Sequence, residues 1–244
     1  MRAIGVGRAG SALLLSVNLA AGFSSAVRAG DDPKNCNGVD WDDKRALVVS
    51  KVVASQRINF IKSPYDDDFT AAACPADTDA CRKKSFLVPG DLVLTGQTRG
   101  AFTCVAYQSP LAQKQIWARG WLPSSTLTPV APTPSPKALD WIGVWYHPGG
   151  PITISRANGG KLSIEGGMTV PTARDFHNGQ FQATARPNKD TIAFVDDGSI
   201  PFEKTDEGEC RVRMQRINQW LLVEDNSGCG GAGVTFTGLY RRKK

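Results

Sequence analysis

Turn residues recur through the second half of this chain at strand-length intervals. From Asp140 onward the breaks are Pro148-Gly149-Gly150-Pro151, Asn158-Gly159-Gly160, Asn178-Gly179, Asp196-Asp197-Gly198 and Asn226-Ser227-Gly228. Such groups supply φ > 0 and reverse the chain in hairpins. Between them lie Trp141–His147, Ile152–Arg156, Lys161–Glu165, Met168–Thr172, Phe181–Arg186, Thr191–Val195, Cys210–Ile217, Trp220–Glu224 and Val234–Arg241. Ile152/Ile154 and Leu162/Ile164 alternate with polar neighbours, which gives each piece one buried face. The pattern predicts an eight- or nine-stranded antiparallel β-barrel or sandwich over 138–244.

The first half also reads as short strands: Ala46–Ala54, Arg57–Ser63, Ser85–Pro89, Asp91–Thr95, Ala101–Tyr107 and Ala118–Leu122. The Val-rich run in Ala46–Ala54 argues against a helix beginning near Asp40 or Asp42. The expected class is therefore all-β, in two modules, 30–128 and 138–244. Prolines 129, 132, 134 and 136 separate them, and a run of that kind favours an extended spacer over 129–137.

Residues 1–29 read as an export leader. Arg2 and Arg8 precede a short apolar core, Ala12 to Ala21, and Val27 and Ala29 form a small-residue cleavage site before Gly30. The core is shorter than the roughly 20 residues a membrane helix needs. No other stretch is apolar enough to span, so an integral membrane protein is not expected. Six cysteines, Cys36, Cys74, Cys81, Cys104, Cys210 and Cys229, all lie beyond the leader. An even number in an exported chain reads as disulfides, and the absence of C-x-x-C argues against a redox motif or zinc knuckle. Cys210 and Cys229 stand alone in the second half and are expected to pair. The other four allow three pairings. The short polar loop from Cys74 to Cys81 favours a bridge there, with Cys36 left for Cys104. The compartment expected is periplasmic or secreted.

Four strings in the first half carry a resemblance. Ile58-Asn-Phe-Ile-Lys-Ser-Pro64, Phe86-Leu-Val-Pro-Gly-Asp-Leu-Val-Leu94, Gly100-Ala-Phe-Thr-Cys-Val-Ala-Tyr107 and Gly120-Trp-Leu-Pro-Ser-Ser-Thr-Leu127 occur in order. Together they resemble the strands of bacterial SH3-like (SH3b) domains over about 46–128. Phe102 stands where that pattern has Trp, and the loop Tyr65–Arg82 is longer than the pattern. The resemblance implies a small barrel that binds cell-wall components, peptides or proteins. Tyr65, Tyr107, Trp117 and Trp121 are its candidate ligand contacts, with barrel core as the competing role for Trp121. In the second half, Gly143-Val-Trp145 and Tyr240-Arg241 resemble the G-x-W and closing Arg of calycin (lipocalin-like) barrels. That resemblance implies that Arg241 packs over Trp145 to close the barrel, and that the barrel takes a small apolar ligand or a protein. The last twenty residues to Arg241 are also similar to the ends of small bacterial periplasmic proteins.

Catalytic sets are hard to assemble from this chain. Only His147 and His177 are available as imidazole bases, and neither has a motif partner. Glu165, Glu203 and Asp225 are not singled out as a carboxylate pair. Cys229-Gly-Gly-Ala-Gly233 lacks the Lys and helix of a phosphate loop. Asp66-Asp67-Asp68 lacks calcium-loop spacing and reads as a solvated run. No enzyme, cofactor or metal is expected.

The 29 basic and 23 acidic residues give +6. Without Arg2, Arg8 and Arg28 of the leader, and without the tail Arg241-Arg242-Lys243-Lys244, 22 basic face 23 acidic residues. The charge is thus local to the two ends, which excludes a nucleic-acid face. The expected function is an exported, non-catalytic binding protein of the bacterial cell envelope, acting through the SH3-like module on peptidoglycan, peptide or protein. The alternatives are an inhibitor of a lysozyme-type hydrolase or an apolar carrier acting through the second barrel.

Overall fold

The computed structural model describes residues 35–42, 45–66, 71, 73–109, 116–198, 200–204 and 208–243. The expected leader, Asp67 and Asp68 of the acidic run, and Lys244 lie outside them. The fold is nearly all β and forms two antiparallel sheets.

The first sheet has seven strands: β1 (Val48–Val52), β2 (Ile58–Ile61), β3 (Arg82–Leu87), β4 (Leu92–Arg99), β5 (Phe102–Gln108), β6 (Trp117–Pro123) and β7 (Leu127–Pro129). Their spatial order is β3-β2-β6-β5-β4-β1-β7. Adjacent apolar residues such as Val93/Leu94 and Val105/Ala106 point to opposite faces. Both faces are covered, which is why these strands show no clean alternation in sequence. Val52, Phe60, Leu87, Val93, Val105 and Leu122 form the inner core. A second cluster surrounds two disulfides, Cys36–Cys104 and Cys74–Cys81, and includes Ile61 and Trp121.

A single-turn helix, α1 (Ala138–Trp141), opens the second module. Eight strands follow: β8 (Gly143–His147), β9 (Gly150–Arg156), β10 (Leu162–Pro171), β11 (Phe176–Ala185), β12 (Thr191–Val195), β13 (Arg211–Ile217), β14 (Trp220–Asp225) and β15 (Gly238–Arg242). The order β11-β10-β9-β8-β15-β14-β13-β12 brings the first and last strands together in a nearly closed barrel. At the seam the Gln182 N–H donates to Asp196 Oδ1 at 2.7 Å. The third disulfide, Cys210–Cys229, ties the segment before β13 to the Gly-rich loop before β15.

One expected break between strands and one expected turn lie inside strands. Gly166-Gly167 lies within β10, so the Lys161–Glu165 and Met168–Thr172 pieces are one strand. Gly166 sits there because a Cβ would come within 2.3 Å of the Phe181 ring. Asn178-Gly179 lies within β11, where Gly179 bridges to Gly230 at backbone contact. Glycine in these strands admits a neighbour rather than bending the chain.

The barrel is filled by its own side chains. Trp141, Trp145, Ile152, Ile164, Phe236 and Tyr240 are completely buried, and Phe181 and Phe194 nearly so. The outer face of β13–β15 packs on the first sheet: Ile217 and Leu222 meet Val49, Leu94 and Ala106, with Trp117, Val130, Trp220 and Leu239 around them. The Pro-rich segment, expected as an extended spacer, is also held by both modules. Its start is β7, paired with β1, and Thr133 exchanges hydrogen bonds with Arg216 and Asn218 of the barrel. Polyproline has no internal hydrogen bonds, so its free backbone groups are available to both modules.

Candidate functional site

The end of the barrel beside α1 is built around Trp145. Its indole N–H donates to the Trp141 carbonyl at 2.7 Å. Two guanidinium groups lie over its ring, Arg216 at 4.4 Å and Arg242 at 5.0 Å. Arg242 also donates to the Leu139 and Asp140 carbonyls at 2.9 and 2.7 Å. Gly143 makes room for it: a Cβ there would stand 3.2 Å from Arg242 Nε. Arg216 donates to the Asn218 and Trp220 carbonyls. Burial, and then the nearby Arg242 charge, lower its pKa to about 10.

The residue that closes the barrel is therefore Arg242, not Arg241 as the calycin resemblance implies. Side chains alternate across a strand. Tyr240 is fully buried in the core, so Arg241 faces out, and Arg242, exposed at the end of the barrel, folds its guanidinium over Trp145.

That outward Arg241 stands in register with Trp220 on β14 and Tyr146 on β8. The three form a cross-strand row on the barrel's outer surface. With Gln219, Arg242 and Lys243 they line an open groove of about 790 Å³. A second hollow of about 310 Å³ shares Gln219 and Trp220 and continues to Lys51, Gly90 and Val130 of the first module. Among the described residues no carboxylate lines either hollow. Among the described residues Arg241, Lys243 and Lys51 have no ion-pair partner, whereas Arg213 is paired with Glu224. Tyr146 is 44% exposed and Trp220 is half-buried.

The four aromatics expected to form a ligand groove do not converge. Trp121 is fully buried beside the disulfide cluster, and its indole N–H donates to Ser63 Oγ at 3.2 Å. Tyr107 packs against the inner core, and burial and then Asp91 raise its pKa. Trp117, on the next strand, faces the joint between modules. Tyr65 is exposed on the long loop after β2. Residues one step apart in register point to opposite faces, which separates Tyr107 from Trp117.

The ionisable groups in the interior are held by the protein itself. His147 is buried at the joint, stacked on Tyr240 at 4.6 Å, with Nε2 against Gln108 Oε1 of the first module. The Gln108 carbonyl oxygen only accepts, so Nε2 carries the proton, and Nδ1 accepts from the Gly149 N–H at 3.4 Å, which makes the imidazole neutral. Burial lowers its pKa to about 3. Glu224 binds Arg213 at 2.9 Å and accepts from the Leu47 N–H, while burial raises its pKa. Asp225 Oδ1 accepts from the Thr235 and Thr237 hydroxyls and from the Phe236 and Thr237 N–H groups. Glu165 and Glu203 are exposed, and the His177 ring contacts the Ala232 carbonyl.

Comparison with known protein families, with curated proteins and with solved structures found no match to this chain. The three disulfides are those of a chain that folds in an oxidising, extracytoplasmic environment. No helix among the described residues is long and apolar enough to cross a membrane.

Proposed function

We propose that this chain is an exported, non-catalytic binding protein of the bacterial cell envelope, and that its ligand lies in the groove along β14, β15 and β8. The observation that carries this reading is the in-register row Trp220–Arg241–Tyr146. Aromatic faces flanking an uncompensated cation make a recognition surface, since rigid rings and Arg are the residues enriched where binding energy concentrates. The expected leader and the three disulfides support a periplasmic or secreted location for that surface. The SH3-like and calycin-like resemblances of the sequence are consistent with a binding role rather than a catalytic one. The module joint moves the proposed site from the first module's aromatics to the outer wall of the second.

A filled barrel interior argues against the apolar carrier, because a barrel holds a ligand only where its own side chains leave space. Buried carboxylates and His147 that are already satisfied within the fold support a non-catalytic role.

The test is retention of the mature chain on purified peptidoglycan sacculi and on immobilised envelope extract. Retention that drops in a Trp220→Ala/Arg241→Ala variant is the expected outcome. Absence of retention on every envelope component would sink the proposal.

A further inference from the structure

The chemistry of the groove narrows the ligand, on the reading that the groove binds an envelope component. We infer that it takes a glycan that carries carboxylates on its sugars or on the peptides attached to them. Two inter-strand steps of about 4.8 Å each separate Trp220 from Tyr146, a span that matches alternate rings of a linked sugar chain. The apolar C–H faces of such rings stack on aromatic side chains. Arg241 lies between those two platforms, and a guanidinium fork matches a carboxylate in two parallel hydrogen bonds. Lys243, two residues on from Arg241, and Lys51, in the hollow that continues past Trp220, extend the positive charge. Gln219 adds an amide that both donates and accepts, which suits hydroxyl groups.

The same features exclude competing occupants. An apolar helix would bury Arg241 and Lys243 without partners, at the cost of their desolvation. A flat bilayer surface cannot enter a concave groove of about 790 Å³. The charge is also dedicated to this surface. Arg242 and Arg216, close by, are engaged by Trp145 and by backbone carbonyls, whereas Arg241 makes no such contact among the described residues.

The experiment compares retention of the full mature chain on untreated sacculi, on sacculi whose carboxylates have been converted to amides, and on phosphatidylglycerol vesicles. The expected result is retention on untreated sacculi and at least a tenfold loss on the amidated ones. Arg241→Ala is expected to reproduce that loss on untreated sacculi and Arg241→Lys to recover part of it, with unchanged melting curves for both. Equal retention on the two kinds of sacculi overturns the carboxylate inference and leaves envelope binding standing. Retention on vesicles alone overturns it in favour of a lipid surface. Retention on nothing overturns the envelope reading as well.

Discussion

Arg242 lies across the ring of Trp145, its guanidinium carbon 5.0 Å from the ring centroid, while its neighbour Arg241 projects from the opposite face of the same strand. Two consecutive arginines thus do different work. Arg242→Ala is expected to lower unfolding free energy by about 1–2 kcal/mol, from the lost cation–π contact and the two carbonyls left without a donor. Arg241→Ala is expected to stay within about 0.5 kcal/mol, as surface substitutions do. Urea titrations of the two variants measure the difference, and equal losses would contradict the assignment.

His147 gives the fold a pH dependence. Its native pKa is about 3 against 6.5 for the free side chain, so the unfolded state binds the proton more readily. Its contribution is therefore fully present above pH 6.5 and is lost as pH falls from there toward 3. The loss amounts to about 1.4 kcal/mol for each pH unit in that window. His147→Gln lacks this titration. The stability gap between wild type and His147→Gln is expected to shrink from pH 7.5 to pH 5. A gap independent of pH would show that the imidazole is not held neutral.

The disulfides are expected to rank by loop length. Replacing both cysteines of a bridge by Ser should cost about 4 kcal/mol for Cys36–Cys104, about 3 for Cys210–Cys229 and about 2 for Cys74–Cys81 on the chain-entropy account. Their sequence separations are 68, 19 and 7 residues. Denaturation of the three double variants tests that order.

Gly166 and Gly167 form a matched pair. A Cβ at Gly166 would meet the Phe181 ring at 2.3 Å, whereas one at Gly167 meets nothing within 4 Å. Gly166→Ala should destabilise by about 1–3 kcal/mol through overpacking. Gly167→Ala should be close to neutral. Thermal melts of the two variants decide whether β10 runs unbroken through this pair.

The sequence made the strand rhythm legible because turn chemistry is local: Asn158-Gly159-Gly160 and Asp196-Asp197-Gly198 reverse the chain wherever they occur. The short Cys74–Cys81 loop was legible for the same reason. Gly166-Gly167 misled, since the same residue type serves close packing inside a strand, and Phe181 lies fifteen positions away in sequence. Arg241 and Arg242 were interchangeable until the pleat fixed which one shares a face with Tyr240. The candidate groove was the least legible part. Tyr146, Trp220 and Arg241 come from three strands, and only the β8–β15–β14 register sets them side by side. For Trp121 the competing role of barrel core is the one the structure has, with the residue buried beside the two disulfides.

The central claim is that ligand is held by the outer wall of the barrel at β14, β15 and β8. Amide and indole chemical-shift mapping of the mature chain, titrated with solubilised sacculus fragments, tests it directly. The account predicts that the largest shifts fall on the Trp220 indole and on the amides of Tyr146, Gln219 and Arg241. Shifts confined to the first module around Tyr65 and Tyr107, with the Trp220 indole unmoved, would contradict it.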